Sequence, residues 1–379
     1  MKRISVVFLI LCTCCVPATW SQNVTCPAHV NWTEFLTVDM ARYNPCETVL
    51  GVDNVGDLTR LWTSFSGSME GSPVVVNGVL YGGSVDAQLV ALKASTGHLL
   101  WTYPTGGAVA DTPAVANGVV YFGSDDNNLY ALNAATGALL WNYATGSFIT
   151  YSSPAVANGV VYFGSADQNV YALNAATGAV LWTYTTGGVV ETSPAVANGA
   201  VYIGSADNNL YALNAATGAL LWSYPIGGPP GPAPAVANGI VYVENENAGS
   251  LYALKAKTGA LLWKTTLSPL PSSAAVANGV VYISSGNGDL SNGTYALNAT
   301  TGDILWSVNL EGGQGSSPAV ANGVVYLGTR RGIMYALDAS TGATLWSDKL
   351  GGTFASPVVA NGLVYDTVGD GGAYAFSVK

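Results

Sequence analysis

Charged residues are scarce in this chain. Lys, Arg, Asp and Glu make up 9% of its 379 residues, and 22 acidic side chains against 12 basic ones give a formal net charge of −10. In a typical globular domain about a quarter of the residues are charged. A neutral to acidic surface repels phosphate backbones, which argues against nucleic acid as a partner and also against anionic membranes.

Histidine is nearly absent as well, since the chain holds only His29 and His98. Neither belongs to a G-x-S-x-G motif or an H-E-x-x-H motif. A Ser–His–Asp hydrolase or a histidine-ligated metal site is therefore not supported. We assign no catalytic, cofactor-binding or metal-binding residue from these patterns.

Long apolar runs are missing after the N-terminus. The first run covers residues 4–16; it follows Lys2 and Arg3 and precedes small residues near Ala18 and Ser21. This is the pattern of an export signal, and the run is too short to span a membrane as a helix. We predict a signal peptide over residues 1–21, no transmembrane segment, and a periplasmic or extracellular protein. A lipid anchor is a weaker alternative, because no small residue precedes the signal cysteines.

Cysteine is rare outside the signal. Only Cys26 and Cys46 of the five cysteines remain in the mature chain. An even pair in an exported protein predicts one disulfide, with two free thiols as the alternative. This pair would tie a lead-in segment over residues 22–57, ahead of the main domain at residues 58–379.

What the sequence has in abundance is a repeat of about forty residues. Asn-Gly dipeptides recur at intervals of 39 to 44 residues, and one tryptophan follows each step. The tryptophans are Trp62, Trp101, Trp141, Trp182, Trp222, Trp263, Trp306 and Trp346. A period near forty with one tryptophan per unit is typical of a β-propeller.

Each unit predicts four short antiparallel strands. Asn158-Gly159 lies between two apolar runs and supplies the two positive φ angles of a type I′ hairpin. The last unit stops at Lys379 before its tryptophan, while residues 58–65 form a matching strand around Trp62. We therefore predict an all-β, eight-bladed propeller in which an N-terminal strand completes the C-terminal blade and covers its edge.

The segment Ala131–Trp141 resembles the tryptophan-docking motif A-x-D-x-x-T-G-x-x-x-W of quinoprotein alcohol dehydrogenase-like propellers. Seven copies occur in register across residues 58–379, with Asp338 at the aspartate position in one of them. The resemblance implies that each tryptophan packs on the neighbouring blade. The family includes dehydrogenases that use pyrroloquinoline quinone with calcium, and non-catalytic propellers such as the scaffold lipoprotein of the outer-membrane assembly machine.

The catalytic branch is matched poorly. The only adjacent cysteines, Cys14 and Cys15, fall in the predicted signal, whereas the resembled dehydrogenases cover their cofactor with a vicinal disulfide. No cofactor ligand maps residue by residue onto this chain. We therefore expect a monomeric, non-enzymatic binding or scaffold propeller without cofactor, which engages protein or carbohydrate. A dehydrogenase using pyrroloquinoline quinone and calcium is the alternative.

The repeat register also indicates where a ligand would bind. The residue three before the first-strand proline should lie near the mouth of the central channel, and in several blades this residue is acidic or aromatic. Glu70, Tyr151, Glu191 and Phe354 lie at this position, and together with the nearby Asp111 they are the candidate channel-mouth residues. The alternative is that the carboxylates are ordinary solvated loop residues.

Overall fold

The computed structural model describes residues 26, 31–35, 41–64, 67–269, 272–286, 293–313, 315–352, 355–369 and 371–379. Its strands form eight sheets that each contain four antiparallel strands, one sheet with a short fifth strand, which confirms the predicted all-β, eight-bladed propeller. The predicted signal at residues 1–21 and the candidate residue Phe354 lie outside the described residues. We number the blades from the sheet that begins at Val74, and we name the strands of each blade inner, second, third and outer, counting from the central channel.

The strands recur at the same place in every repeat. The inner strands are Val74–Val76, Ala114–Ala116, Ala155–Ala157, Ala195–Ala197, Ala235–Ala237, Ala275–Ala277, Ala319–Ala321 and Val358–Ala360. The second strands are Val79–Ser84, Val119–Gly123, Val160–Gly164, Ala200–Ser205, Ile240–Asn245, Val280–Ser285, Val324–Gly328 and Leu363–Val368. The third strands are Gln88–Lys93, Asn128–Asn133, Asn169–Asn174, Asn209–Asn214, Ser250–Lys255, Gly293–Asn298, Ile333–Asp338 and Gly372–Ser377. The outer strands are Leu99–Pro104, Leu139–Ala144, Val180–Thr185, Leu220–Pro225, Leu261–Thr266, Ile304–Val308, Thr344–Lys349 and Thr59–Ser64.

The ring closes through its first and last strands. Thr59–Ser64 pairs antiparallel with Gly372–Ser377, and Trp62 lies opposite Ala375. This confirms the predicted closure by an N-terminal strand, which begins at Thr59, one residue later than predicted. The closing strand pairs with the third strand of blade 8, so this third strand is not left as an exposed edge.

The Asn-Gly turns have the geometry that the sequence predicts. In the first hairpin φ is +50° at Asn77 and +78° at Gly78, and the other hairpins repeat these values closely. Asn and Gly tolerate this left-handed region, and a type I′ turn needs it at both central positions. The turns fix the register of the inner and second strands.

Tryptophans join each blade to the next. Each indole N–H of the outer strands donates to a backbone carbonyl of the following blade at 2.9–3.2 Å. The indole of Trp182 also covers Gly218 (φ +71°), where a Cβ would lie 2.7 Å from the ring. Only glycine fits this close approach at a positive φ. Blade 8 has no such turn, and Trp346 instead donates to the carbonyl of Leu58.

The lead-in adds little regular structure. It contains the two-residue strand Tyr43–Asn44, which extends blade 7 in parallel with Ala319–Ala321, and the 3-10 helix Val55–Asp57. Cys26 and Cys46 are joined by a disulfide across 20 residues. In the described part of the chain, no helix has the length and apolar character needed to cross a membrane.

Candidate functional site

The two ends of the central channel differ. The Asn-Gly hairpins lie at one end, on what we call the hairpin face. The loops between second and third strands and between blades lie at the other end, on what we call the loop face. The lead-in runs along the hairpin face, where Asn31 accepts a hydrogen bond from the backbone of Asn77 at 3.0 Å.

The lead-in crosses the hairpin end of the channel and bonds to its inner strands. The inner strands are edge strands toward the channel, so their backbone groups need partners. Trp32 exchanges two 2.8 Å backbone hydrogen bonds with Val75 in blade 1. Four more inner-strand amides donate to the lead-in among the described residues. Those of Val115, Val276 and Val320 donate to the backbone carbonyls of Thr33, Ala41 and Arg42, respectively. The amide of Val156 donates to the Glu34 carboxylate.

Arg42 anchors the lead-in at this end. Its guanidinium is fully buried and donates to the carbonyls of Phe35, Pro318 and Pro357 at 2.9 Å each. The guanidinium also lies 4.6 Å from the ring centroid of Phe35. Burial lowers the pKa of Arg42 to about 9, and the charge of buried Asp366 opposes that shift. The lead-in thus places a buried cation across the channel.

Hydroxyl groups join the inner ends of the blades toward the loop face. The Ser153 amide donates to Ser193 Oγ at 3.0 Å. In the same way, the amides of Ser273, Ser317 and Ser356 each donate to the Oγ of the serine in the next blade, ending at Ser72, at 2.9–3.0 Å. Blade 5 has Ala233 in this ring, so the Ser193 amide donates to the Pro232 carbonyl at 2.8 Å instead.

A cavity of about 250 Å³, here the inner cavity, opens on the loop face above this ring. Its walls include three of the predicted channel-mouth residues, Glu70, Asp111 and Tyr151. Phe35 of the lead-in reaches the same cavity, so the lead-in closes it from behind. The structure therefore brings these three residues together at one cavity.

Asp111 is the unusual group of the inner cavity. It is 2% exposed, and neither of its carboxylate oxygens accepts a well-formed hydrogen bond. In blades 3 and 4 the same position holds Ser152 and Thr192, whose hydroxyls accept the amides of Gly164 and Gly204 at 2.8 Å. Burial, and secondarily the charge of Asp125, raises the pKa of Asp111 to about 8. The group is therefore a protonated acid at neutral pH.

A second cavity of about 400 Å³, here the side pocket, adjoins the inner cavity and shares Tyr151 and Pro232 with it. The predicted residue Glu191 lies here rather than beside Glu70, and Glu246 faces the same space. The pKa of Glu246 is raised by burial and then by the charge of Glu191. Pro229 and Pro230 complete the wall.

Glu246 and the buried acid Glu244 are not among the candidate channel-mouth residues, although they lie where blade 5 departs from the repeat. Glu244 occupies the repeat position that holds Gly164 in blade 3 and Gly204 in blade 4. Neither of its carboxylate oxygens accepts a well-formed hydrogen bond. Burial raises its pKa well above the usual range. The break from Gly-Ser to Glu-Asn in blade 5 is the signal that could have identified both residues.

The aspartates in the turns between the second and third strands stabilise those turns by accepting hydrogen bonds. Asp126 accepts the amide of Gly106 at 2.7 Å, the hydroxyl of Tyr130 at 2.7 Å and the amide of Asn128 at 3.1 Å. Asp167 and Asp207 make the equivalent bonds in blades 3 and 4. These carboxylates are engaged by the protein itself.

The residues of the inner cavity do not fit pyrroloquinoline quinone with calcium. The quinone carries three carboxylates, yet the described walls of the inner cavity present hydroxyls, Glu70 and Asp111 without any Lys or Arg. Within the described ranges, no three His, Cys, Asp or Glu side chains are grouped to hold a metal ion. We therefore derive no chemistry through this cofactor.

The fold and the repeat define the class of the protein: an eight-bladed propeller built from tryptophan-docked repeats. Residues 47–188, 149–293 and 291–379 match the profile of a family described as "Outer membrane protein assembly factor BamB". The chain belongs to this family.

Solved structures with the same fold include a BamB protein and an alcohol dehydrogenase. BamB from Moraxella catarrhalis is 20% identical, with a TM-score of 0.71 over 84% of this chain and 99% of that one. Quinohemoprotein alcohol dehydrogenase from Comamonas testosteroni is 19% identical, with a TM-score of 0.78 over 92% of this chain and 80% of that one. Identities this low establish the fold alone.

One curated relative matches over a short stretch. The dehydrogenase subunit of a quinone-dependent alcohol dehydrogenase from Gluconobacter oxydans (strain 621H) is 38% identical over 65 residues. The match covers 16% of this chain and 8% of that subunit. So short a match is the size of one or two repeats.

Proposed function

We propose that this chain is an exported, monomeric binding propeller that engages a protein partner through its loop face and performs no chemistry. It would carry a signal peptide over residues 1–21, a lead-in over 22–57 and the propeller over 58–379, and act in the periplasm. The observation that carries the proposal is the asymmetry of the channel. At the hairpin end the lead-in crosses the channel and borders a cavity of about 730 Å³ beside blades 1 to 3, whereas the loop end holds two adjoining cavities with carboxylates in their walls.

Family membership supports a protein partner over a carbohydrate, because the family description names an assembly factor. The chemistry of the cavities supports binding over oxidation. Their described walls offer hydroxyl, carboxylate and aromatic groups, which recognise polar partners. The competing function, a quinone-dependent dehydrogenase, is favoured only by the 65-residue likeness to the Gluconobacter subunit.

Photo-crosslinking in the source cell tests which face binds. A photoreactive amino acid at Asn247, exposed on the loop face, should give a discrete crosslinked protein band. The same residue at Ala216, exposed on the hairpin face, is the matched control and should give none. Bands from Ala216 alone would contradict the proposal.

Reconstitution tests the absence of chemistry. Purified protein mixed with pyrroloquinoline quinone and calcium should show no bound-cofactor spectrum and no dye reduction with alcohols. A clear cofactor spectrum with alcohol-dependent dye reduction would replace the binding function with the dehydrogenase. Light scattering of the same sample should give the mass of a single chain.

A further inference from the structure

We infer that the folded protein deamidates at the Asn-Gly hairpin tips of five blades, and much more slowly at the tips of the other three. A hairpin tip is the Asn-Gly pair between an inner and a second strand. The reaction concerns the hairpin face and does not depend on what the loop face binds. The reactive asparagines of blades 2 to 6 are Asn117, Asn158, Asn198, Asn238 and Asn278, and the protected ones of blades 1, 7 and 8 are Asn77, Asn322 and Asn361.

The reaction needs only the groups of the tip itself and water. The backbone nitrogen of the glycine attacks Cγ of the asparagine side chain and loses its proton to water. Nδ2 leaves as ammonia, and a five-membered succinimide ring remains. Water then opens the ring at one of its two carbonyls and gives aspartate or isoaspartate. Glycine hinders the attack less than any other residue because it has no side chain.

The eight tips have nearly the same covalent reactivity. Seven of them read Ala-Asn-Gly, and the first reads Val-Asn-Gly. Their backbones are alike as well, since φ of the asparagine lies between +42° and +54° in all eight. In each of blades 1 to 7, an alanine amide of the next turn on this face donates to the carbonyl of the tip glycine at 2.9 Å. A difference in rate must therefore come from what surrounds each tip.

The five reactive tips are unrestrained. Their asparagines are exposed, and none of these side chains forms a hydrogen bond with the described residues. The amides of the glycines that follow them form none either. The space beside the attacking residue is empty, because a Cβ would meet no atom within 4 Å at Gly118, Gly159, Gly199 and Gly239.

The lead-in restrains the tips of blades 1 and 7 through their asparagines. In blade 1 the Asn77 amide donates to the Asn31 side-chain oxygen at 3.0 Å, and Asn31 Nδ2 donates to Asn77 Oδ1 at 3.4 Å. In blade 7 the leaving nitrogen itself is held, since Asn322 Nδ2 donates to the Leu50 carbonyl at 2.9 Å. Both asparagines must break these bonds before they can react.

In blade 8 the lead-in holds the attacking nitrogen instead. The amide of Gly362 donates to the Glu47 carboxylate at 3.1 Å, and this glycine is buried. A Cβ on Gly362 would lie 2.9 Å from Val49, so the lead-in packs directly on the tip. The nitrogen cannot attack Cγ while it donates to Glu47.

These contacts matter because the tip must open before the ring can close. The asparagine has to rotate about its Cα–C bond, out of the type I′ geometry, to bring the glycine nitrogen onto Cγ. Local opening of this kind is easiest where a segment has few contacts. Each lead-in hydrogen bond that has to break first slows the opening by about fivefold.

Conversion changes the turn and its charge. Isoaspartate adds a methylene group to the backbone of a two-residue turn, so the type I′ geometry is lost. Each product also adds one negative charge to a chain whose formal net charge is −10. The hairpin face therefore becomes more acidic in blades 2 to 6 and keeps its turns where the lead-in contacts blades 1, 7 and 8.

Peptide mapping of the folded, full-length mature protein tests the inference. The protein is incubated in mildly alkaline buffer and cut with chymotrypsin, and mass spectrometry gives the converted fraction at each tip. We expect the tips of blades 2 to 6 to convert about fivefold or more faster than Asn77, Asn322 and Asn361. Equal rates at all eight tips, or no conversion at the five, would overturn the inference. Two further Asn-Gly dipeptides begin at Asn287 and Asn292, outside the described residues, and are left out of this comparison.

The unfolded chain is the control for intrinsic reactivity. In guanidinium chloride, with the disulfide reduced, all eight tips should convert at rates within about twofold of one another, because their sequences match and the lead-in contacts are gone. If the unfolded chain keeps the same difference between the five tips and the three, the sequence causes it and the inference falls.

One variant tests the protection directly. Asn31→Ala removes both side-chain bonds of the lead-in to Asn77, which should then convert about fivefold faster and approach the rate of Asn198 in the same sample. Asp57→Ala changes an exposed lead-in side chain that bonds to no tip and should leave every rate unchanged. An unchanged Asn77 rate in Asn31→Ala would show that the lead-in does not protect this tip, which contradicts the inference.

Discussion

The two ends of the channel show opposite uses of the same repeat. At the hairpin end, inner-strand amides donate hydrogen bonds to the lead-in, and the buried guanidinium of Arg42 donates hydrogen bonds to three backbone carbonyls. At the loop end, Asp111 and Glu244 are buried without hydrogen-bond partners, while Glu191 and Glu246 face an open pocket. The comparison teaches that contacts with the lead-in tie the blades together at one end, and that the loop end holds acidic side chains without a salt-bridge partner.

The largest effect is expected at the hairpin end. Arg42→Leu leaves three carbonyls and the buried Asp366 without their cation, and should lower the free energy of unfolding by about 3–5 kcal/mol. Urea denaturation measures this loss. Arg60→Leu is the control, because the ion pair of Arg60 with Asp348 is largely exposed, and it should cost about 1 kcal/mol or less. Similar losses for both variants would show that Arg42 does not anchor the lead-in.

Removing the disulfide should have the next largest effect. Cys26 and Cys46 bracket the part of the lead-in that crosses the channel. A loop of this length restricts the unfolded chain by about 3 kcal/mol, so Cys26→Ser/Cys46→Ser should lower the unfolding free energy by about that amount. Thermal denaturation with and without reductant checks it. A parent protein whose midpoint does not change on reduction would argue against a role for the bond.

The acid at the loop end predicts a pH dependence. Because the folded state holds the Asp111 proton up to pH 8 or so, and the unfolded chain releases it near pH 3.8, stability falls as pH rises between these values. From pH 5 to pH 7 this one group contributes a loss of at most about 2.7 kcal/mol. Asp111→Asn should lose less stability over that interval than the parent does, in urea melts at the two pH values. Equal losses would mean that Asp111 is not held protonated.

The smallest effect is expected for the exposed acid of the same cavity. Glu70 is exposed, and Glu70→Gln should change the unfolding free energy by about 0.5 kcal/mol or less. The same urea melts measure it, and a loss as large as that of a buried charge would refute the contrast between Glu70 and Asp111.

Much of the fold can be predicted from the sequence because the same strand and turn pattern recurs eight times. Each Asn-Gly turn fixes one hairpin, seven of the eight repeat tryptophans dock on a glycine turn, and the incomplete last unit requires the strand around Trp62. Repeat register also placed Glu70 and Tyr151 at the channel mouth.

The contacts of the lead-in with the inner strands could not be predicted in the same way. Trp32 and Arg42 belong to no repeat, so no second copy reveals what they contact. Their partners lie far away in the chain: Arg42 bonds to Pro318 and Pro357, which only the closed ring brings together. Glu246 could not be assigned to a pocket for a related reason, since it belongs to a single divergent turn.

Residue-resolved hydrogen exchange tests most directly whether the lead-in is tied to the inner strands across the hairpin end of the channel. The amides of Val156, Val276 and Val320 donate to the lead-in across three blades, so they should exchange as slowly as the amides of the second strands. Exchange of these three amides at the rate of exposed loop amides would mean that the lead-in does not hold the inner strands, which would contradict the account.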